Sequence, residues 1–125
     1  MSRSVTLDTG ALVALERRSQ RMTDIVARAR AREDVLVVPQ VVLAEWWRGR
    51  SDWREKILAM LVVEPLTDAR AKLAGEAIAR VAGATAIDAV VMASAASRGD
   101  AVFTSDPDDL ERLRTFFPTV RVLSV

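Results

Sequence analysis

The 125-residue chain contains no cysteine, no histidine and no tyrosine. Without cysteine it has no disulfide, no thiolate metal site and no cysteine nucleophile. Without histidine it can build neither a triad on an imidazole base nor a zinc–histidine centre, and histidine-dependent ribonuclease chemistry is closed to it. Any hydrolysis must therefore run on carboxylates, with a metal ion as the expected helper. Long apolar runs are missing as well. None approaches a membrane span, and the N-terminus shows no signal-peptide apolar region, so a cytoplasmic protein is expected.

What remains is an ordinary globular balance: half the residues are hydrophobic and 28% are charged. The length suits a single domain over residues 1–125, large enough for one core. A net charge of +1 creates no global field that would demand a nucleic-acid partner. The cations are lopsided, with sixteen Arg against only Lys56 and Lys72. Arginine suits bidentate phosphate contacts, but an Arg- and Ala-rich chain is better explained by a GC-rich genome.

The stretch from Ser4 to Ala14 reads as a first strand that ends in Asp8 at a strand-to-helix junction. In open α/β sheets ligands bind outside the carboxyl ends of the strands, which makes an acid at that place a candidate site residue. Strand-like runs follow at Val35–Val38, Val62–Leu66, Ala101–Thr104 and Val120–Val125. Helical patterns fill the gaps: Ala11–Arg18, Ile25–Arg32, Val41–Arg48, Trp53–Leu61, Asp68–Ala79, Thr85–Ser97 and Asp108–Phe116. Strands alternating with helices predict an α/β fold, a parallel sheet of about five strands with helices on both faces.

Four acids stand out, three of them with an ordinary structural explanation. Asp8 suits the N-cap of the first helix. Thr85-Ala86-Ile87-Asp88 matches a capping box. Asp106-Pro107-Asp108-Asp109 matches a helix start with proline at the first position and acids favoured by the helix dipole. Glu45 needs no such role: it sits mid-helix with Val41 and Val42 one turn before it, on a face expected to pack inward. A charge there is costly unless paired or bound to a cation, and Arg48 or Arg50 is the competing partner. Taken together, Asp8, Glu45, Asp88 and Asp106 fall at strand ends and first helical turns, which a parallel sheet brings to one edge. Carboxylates crowded there raise one another's pKa values unless a divalent cation neutralises them, and hard oxygen donors suit Mg²⁺ or Mn²⁺.

The same residues carry a resemblance over the whole chain. Val5-Thr6-Leu7-Asp8-Thr9, Val38-Pro39-Gln40-Val41-Val42-Leu43-Ala44-Glu45, Thr85-Ala86-Ile87-Asp88-Ala89 and Thr104-Ser105-Asp106-Pro107-Asp108-Asp109-Leu110 resemble, in order, the four acidic motifs of the PIN-domain ribonucleases, in particular the VapC toxins of bacterial toxin–antitoxin pairs. The resemblance implies a Mg²⁺- or Mn²⁺-dependent endoribonuclease with Asp8, Glu45, Asp88 and Asp106 as its metal-binding and catalytic set. Thr104, Asp109 and Thr9 would support that set. It also implies a homodimer, a cognate antitoxin that blocks the acidic pocket, and a structured RNA substrate such as tRNA or rRNA. Gly10 departs from the Ser or Asn common in relatives, which concerns a supporting contact and not the acids themselves. Of the adjacent Trp46 and Trp47, one is expected inside and the other at a partner surface or in solvent.

Other readings fit less well. Leu7-Asp8-Thr9-Gly10-Ala11 is also the signature of dimeric aspartic proteases, which need a β-rich chain and a glycine-rich flap. A haloacid-dehalogenase phosphatase needs an acid where Gly10 stands, and a receiver domain needs a lysine that neither Lys56 nor Lys72 supplies. A PIN-like module that only binds RNA or protein would be expected to have lost one or more of the four acids.

Overall fold

A computed structural model describes residues 3–125. The valine-rich strand β2 (Val35–Pro39) is buried from Leu36 onward, as a strand covered on both faces requires. With β1 (Ser4–Leu7), β3 (Val62–Glu64), β4 (Ala101–Thr104) and β5 (Arg121–Ser124) it forms a five-stranded sheet in the order β3-β2-β1-β4-β5. Every neighbouring pair is parallel. The chain winds outward from β1 to β3, then returns to the other side of β1 for β4 and β5. The order therefore reverses between β1 and β4, and the crevice at their carboxyl ends is where such sheets bind ligands.

Among the described residues seven α-helices connect the strands: α1 (Thr9–Glu16), α2 (Gln20–Ala31), α3 (Gln40–Trp46), α4 (Asp52–Ala59), α5 (Asp68–Arg80), α6 (Ala86–Arg98) and α7 (Pro107–Glu111). Side chains alternate along β1. Thr6 faces α6, where it receives a hydrogen bond from Arg98, so Val5 and Leu7 face α1 and α2. In α6 every residue from Ala89 to Ala95 is buried. Its small side chains let it lie against both the sheet and α5. On the opposite face α1 buries Ala11, Leu12 and Leu15, and α2 buries Met22, Val26 and Ala29, three or four residues apart. No helix among the described residues is long and apolar enough to cross a membrane.

A buried polar cluster ties the end of α6 to the sheet. Asp100, only 4% exposed, accepts hydrogen bonds from Ser4 Oγ (2.5 Å), Thr6 Oγ1 (3.0 Å) and Arg98 Nε (2.9 Å). Arg98 also donates to Ser94 Oγ at 2.9 Å and pairs with Glu64, which Arg70 reaches at 2.9 Å.

The sequence reading places the elements correctly and errs at some ends. Helix α2 starts at Gln20, ahead of the Ile25 expected, and Ser19 caps it by accepting from Met22 N–H; the tight turn before it rests on Arg18 at φ +60°, which no turn residue in the sequence announces. The last helix stops at Glu111 and tightens into a 3₁₀ turn over Arg112–Thr115. Helix α6 ends at Arg98, one residue past the expected Ser97, with Gly99 in the left-handed conformation at φ +70°.

Candidate active site

Asp8 is the first residue beyond β1 and the N-cap of α1, where its carboxylate accepts the Ala11 N–H at 2.9 Å. Burial is the main force pushing its pKa up; bonds from Thr104 and Ala11 oppose that, and the charges of Asp88 and Glu45 add to it. Asp88 is the third residue of α6. Its N–H donates to Thr85 Oγ1 at 3.2 Å, so the expected capping bond is made. Its carboxyl is also raised, first by burial, with the Thr85 bond opposing, and then by repulsion from Asp109, Glu45 and Asp106.

Asp106 follows β4. Its N–H donates to Thr104 Oγ1 at 2.9 Å, and Thr104 is itself buried and bonded to Asp8. One hydroxyl thus links the acids that follow two adjacent strands. Although Asp106 occupies the N-cap position of α7, its side chain makes no capping bond; it is exposed, and the neighbouring Asp109 carboxylate raises its pKa. Asp109 in turn lies 3.5 Å from Arg112.

Glu45, near the end of α3, differs from its expected inward position: it is exposed. The buried stripe of this seven-residue helix runs through Val42 and Trp46, and Glu45 lies on its flank. Nor does it pair with an arginine. Arg48 lines the same depression of about 460 Å³ without an ion pair to it, and Arg50 pairs with Asp52 at 3.3 Å. The partner of Glu45 is the Thr9 hydroxyl, which donates to it from the first turn of α1.

The structure therefore brings Asp8, Glu45, Asp88, Asp106 and Asp109 to one edge of the sheet, with Thr9 and Thr104 holding two of them. Among the described residues, none of Asp8, Glu45, Asp88 or Asp106 forms an ion pair. Among the described residues no three acids close into a group that would already grip a metal ion. The donors are all hard oxygens, with Asp8 and Asp88 half-buried and Glu45 and Asp106 exposed. That chemistry fits Mg²⁺ or Mn²⁺ and offers no soft ligand.

Sequence reasoning missed one neighbour. A Cβ at Gly10 would overlap Ser105 Oγ and lie 2.9 Å from Ser105 Cβ. The space that a side chain at position 10 would fill is thus taken by the Ser105 hydroxyl from the β4–α7 connection. The tryptophan pair is resolved too. Trp46 is buried and donates Nε1–H to Glu16 at 2.8 Å, whereas Trp47 is half-buried and lines an apolar depression with Leu43 and Leu58.

Residues 5–115 match the PIN domain. No curated protein sequence matches the chain. Similar solved structures include VapBC2 from Rickettsia felis bound to a DNA fragment from their promoter, with a TM-score of 0.76, 13% identity and 98% of both chains covered. DNA-bound VapBC from Salmonella typhimurium gives 0.71 at 20% identity, covering 99% of this chain and 98% of that one. A protein of Pyrobaculum aerophilum gives 0.58 at 22% identity, with 98% and 92% covered. At such identities the shared property is the fold.

Proposed function

The chain belongs to the PIN-domain family, and from that premise we propose that residues 1–125 form a single toxin-type endoribonuclease domain. Asp8, Glu45, Asp88 and Asp106 hold a Mg²⁺ or Mn²⁺ ion, and the substrate is the phosphodiester backbone of RNA, in the class of tRNA or rRNA. The observation that carries this reading is the convergence of four acids without ion pairs, from β1, α3, α6 and β4, on the edge where the sheet order reverses.

A divalent ion bound there would polarise a phosphoryl oxygen and make water a stronger nucleophile. The protein's own part is positional. Thr9 holds Glu45, and Thr104 holds Asp8 and the backbone of Asp106. Asp106 has an exposed side chain that caps nothing; it is free to accept the proton that an attacking water gives up, and the nearby Asp109 charge, by raising its pKa, favours that role.

The likeness to VapBC structures supports a VapC-type protein with an antitoxin partner; we propose that this antitoxin covers the acidic edge and that the protein works in the cytoplasm as a homodimer. The apolar depression at Leu43, Trp47 and Leu58 borders that edge, since Ala44 lines both it and the depression at Glu45. It suits such a protein contact. The test is purified protein, free of antitoxin, incubated with total bacterial RNA in Mg²⁺ or Mn²⁺ beside an EDTA control. Discrete fragments that need the metal support the reading; intact RNA in every lane overturns it.

A further inference from the structure

Helix α2 leaves part of one sheet face uncovered. The registers Leu7↔Phe103 and Phe103↔Leu123 place Phe103 and Leu123 on the face that Val5 and Leu7 present to α1 and α2. Phe103, Leu123 and Val5 are only half-buried, and Arg121 beside them is exposed. Between α2 and β5 this leaves a groove.

Three depressions merge to form it. One of about 620 Å³ lies at the amino-terminal ends of β1, β4 and β5, with Arg3, Arg32, Arg98 and Arg121 in its lining. It shares Val5, Arg32 and Phe103 with a second, of about 220 Å³, which shares Arg21, Ile25 and Arg28 with a third, of about 330 Å³. Arg21 reaches across to the Ser124 carbonyl at 2.9 Å. Ser124 is the register partner of Thr104, so this end of the groove lies one strand from the acidic edge. At 1.5 Å per residue, α2 makes the wall about 18 Å long.

Charge decides what the groove fits. Its acids are largely committed: Asp100 to Arg98, Ser4 and Thr6, Asp34 to Arg32 at 3.5 Å, and Asp24 to Gln20. Arg3, Arg28 and Arg121 make no ion pair among the described residues. A second copy of this face would meet like charge. Guanidinium walls over an aromatic and aliphatic floor match single-stranded RNA, whose phosphates want cations and whose bases want a flat apolar surface.

We propose that the groove between α2 and β5 is an RNA-binding surface, taking phosphates on Arg28 and Arg121 and an unpaired base on Phe103. It extends substrate contact from the acidic edge to the opposite end of the sheet. The proposal rests on the ribonuclease reading above and names where that substrate continues beyond the bond being cut.

The test is fluorescence anisotropy with labelled bulk tRNA in EDTA, comparing the parent protein with the double variant Arg28→Ala/Arg121→Ala. Arg30→Ala, on α2 but outside the groove, controls for loss of charge alone. The double variant is expected to keep its thermal midpoint, to bind about tenfold more weakly, and to show a log–log salt slope shallower by about 1.4, the value for two lost contacts to a single strand. Arg30→Ala is expected to match the parent. Equal affinity in all three proteins, or weakening only towards a purified antitoxin, overturns the groove as an RNA surface. Because binding is read without metal, this outcome is separate from a failure of the parent to cleave RNA, which would count against the nuclease reading.

Discussion

Gly10 and Ser105 share a space that only one of them can fill with a side chain. A Cβ on Gly10 would overlap Ser105 Oγ, with Ser105 Cβ at 2.9 Å and its backbone N at 3.1 Å. Rotating the hydroxyl relieves only the first of these contacts. The glycine therefore lets the β4–α7 connection, which carries Asp106, close against the first turn of α1.

Replacing Gly10 by alanine is expected to cost about 1–3 kcal/mol through overpacking, despite alanine's better helix propensity. The paired change Gly10→Ala/Ser105→Gly should recover most of that loss. Urea unfolding of the two variants against the parent measures both.

Asp8→Asn should separate stability from activity. Asparagine caps helices as well as aspartate does, so the bond to Ala11 survives while a charge opposed by burial and by Asp88 and Glu45 disappears. The sign follows from linkage. A carboxyl raised in the folded state keeps its proton longer there than in the unfolded chain, so its contribution to stability falls as pH rises through the folded value. In EDTA at neutral pH the variant should melt above the parent, and the difference should vanish below the ordinary Asp pKa of about 3.9. Its RNA cleavage should fall by ~100-fold or more, since loss of several kcal/mol of charge stabilisation is at stake.

Arg98→Ala attacks the polar cluster at the other end of α6. It strands Asp100, which is 4% exposed, and removes one of the two arginines on Glu64. Breaking a buried pair by removing one partner costs about 3–5 kcal/mol. That is a large part of the 5–15 kcal/mol typical of a domain. A large drop in thermal midpoint is expected, and a fall below about 1 kcal/mol would show that water replaces the arginine.

The order of elements was legible because hydrophobic spacing reports burial, and burial is what this sheet imposes on Val35–Pro39 and on Ala89–Ala95. Asp8, Asp88 and Asp106 were legible because strand ends and helix starts are local features, and topology then brings them to one edge. Glu45 was found for a partly mistaken reason. Its neighbours Val41 and Val42 suggested an inward face, yet the short α3 buries Val42 and Trp46 and leaves Glu45 exposed on the flank. Ser105 was invisible because its role depends on an approach between residues ninety-five positions apart. The groove along α2 was hidden for a similar reason. Arginines scattered from Arg3 to Arg121 become one wall only when β5 pairs with β4.

The central claim is that the four acids jointly hold a divalent ion, and calorimetric titration of Mn²⁺ into the parent protein and into Asp8→Asn and Asp88→Asn tests it most directly. The account predicts saturable binding to the parent near one ion per chain and weakening of ~10-fold or more in each variant, the equivalent of about 1.4 kcal/mol lost. Equal binding to all three proteins, or none to the parent under conditions in which it still cuts RNA, would contradict it.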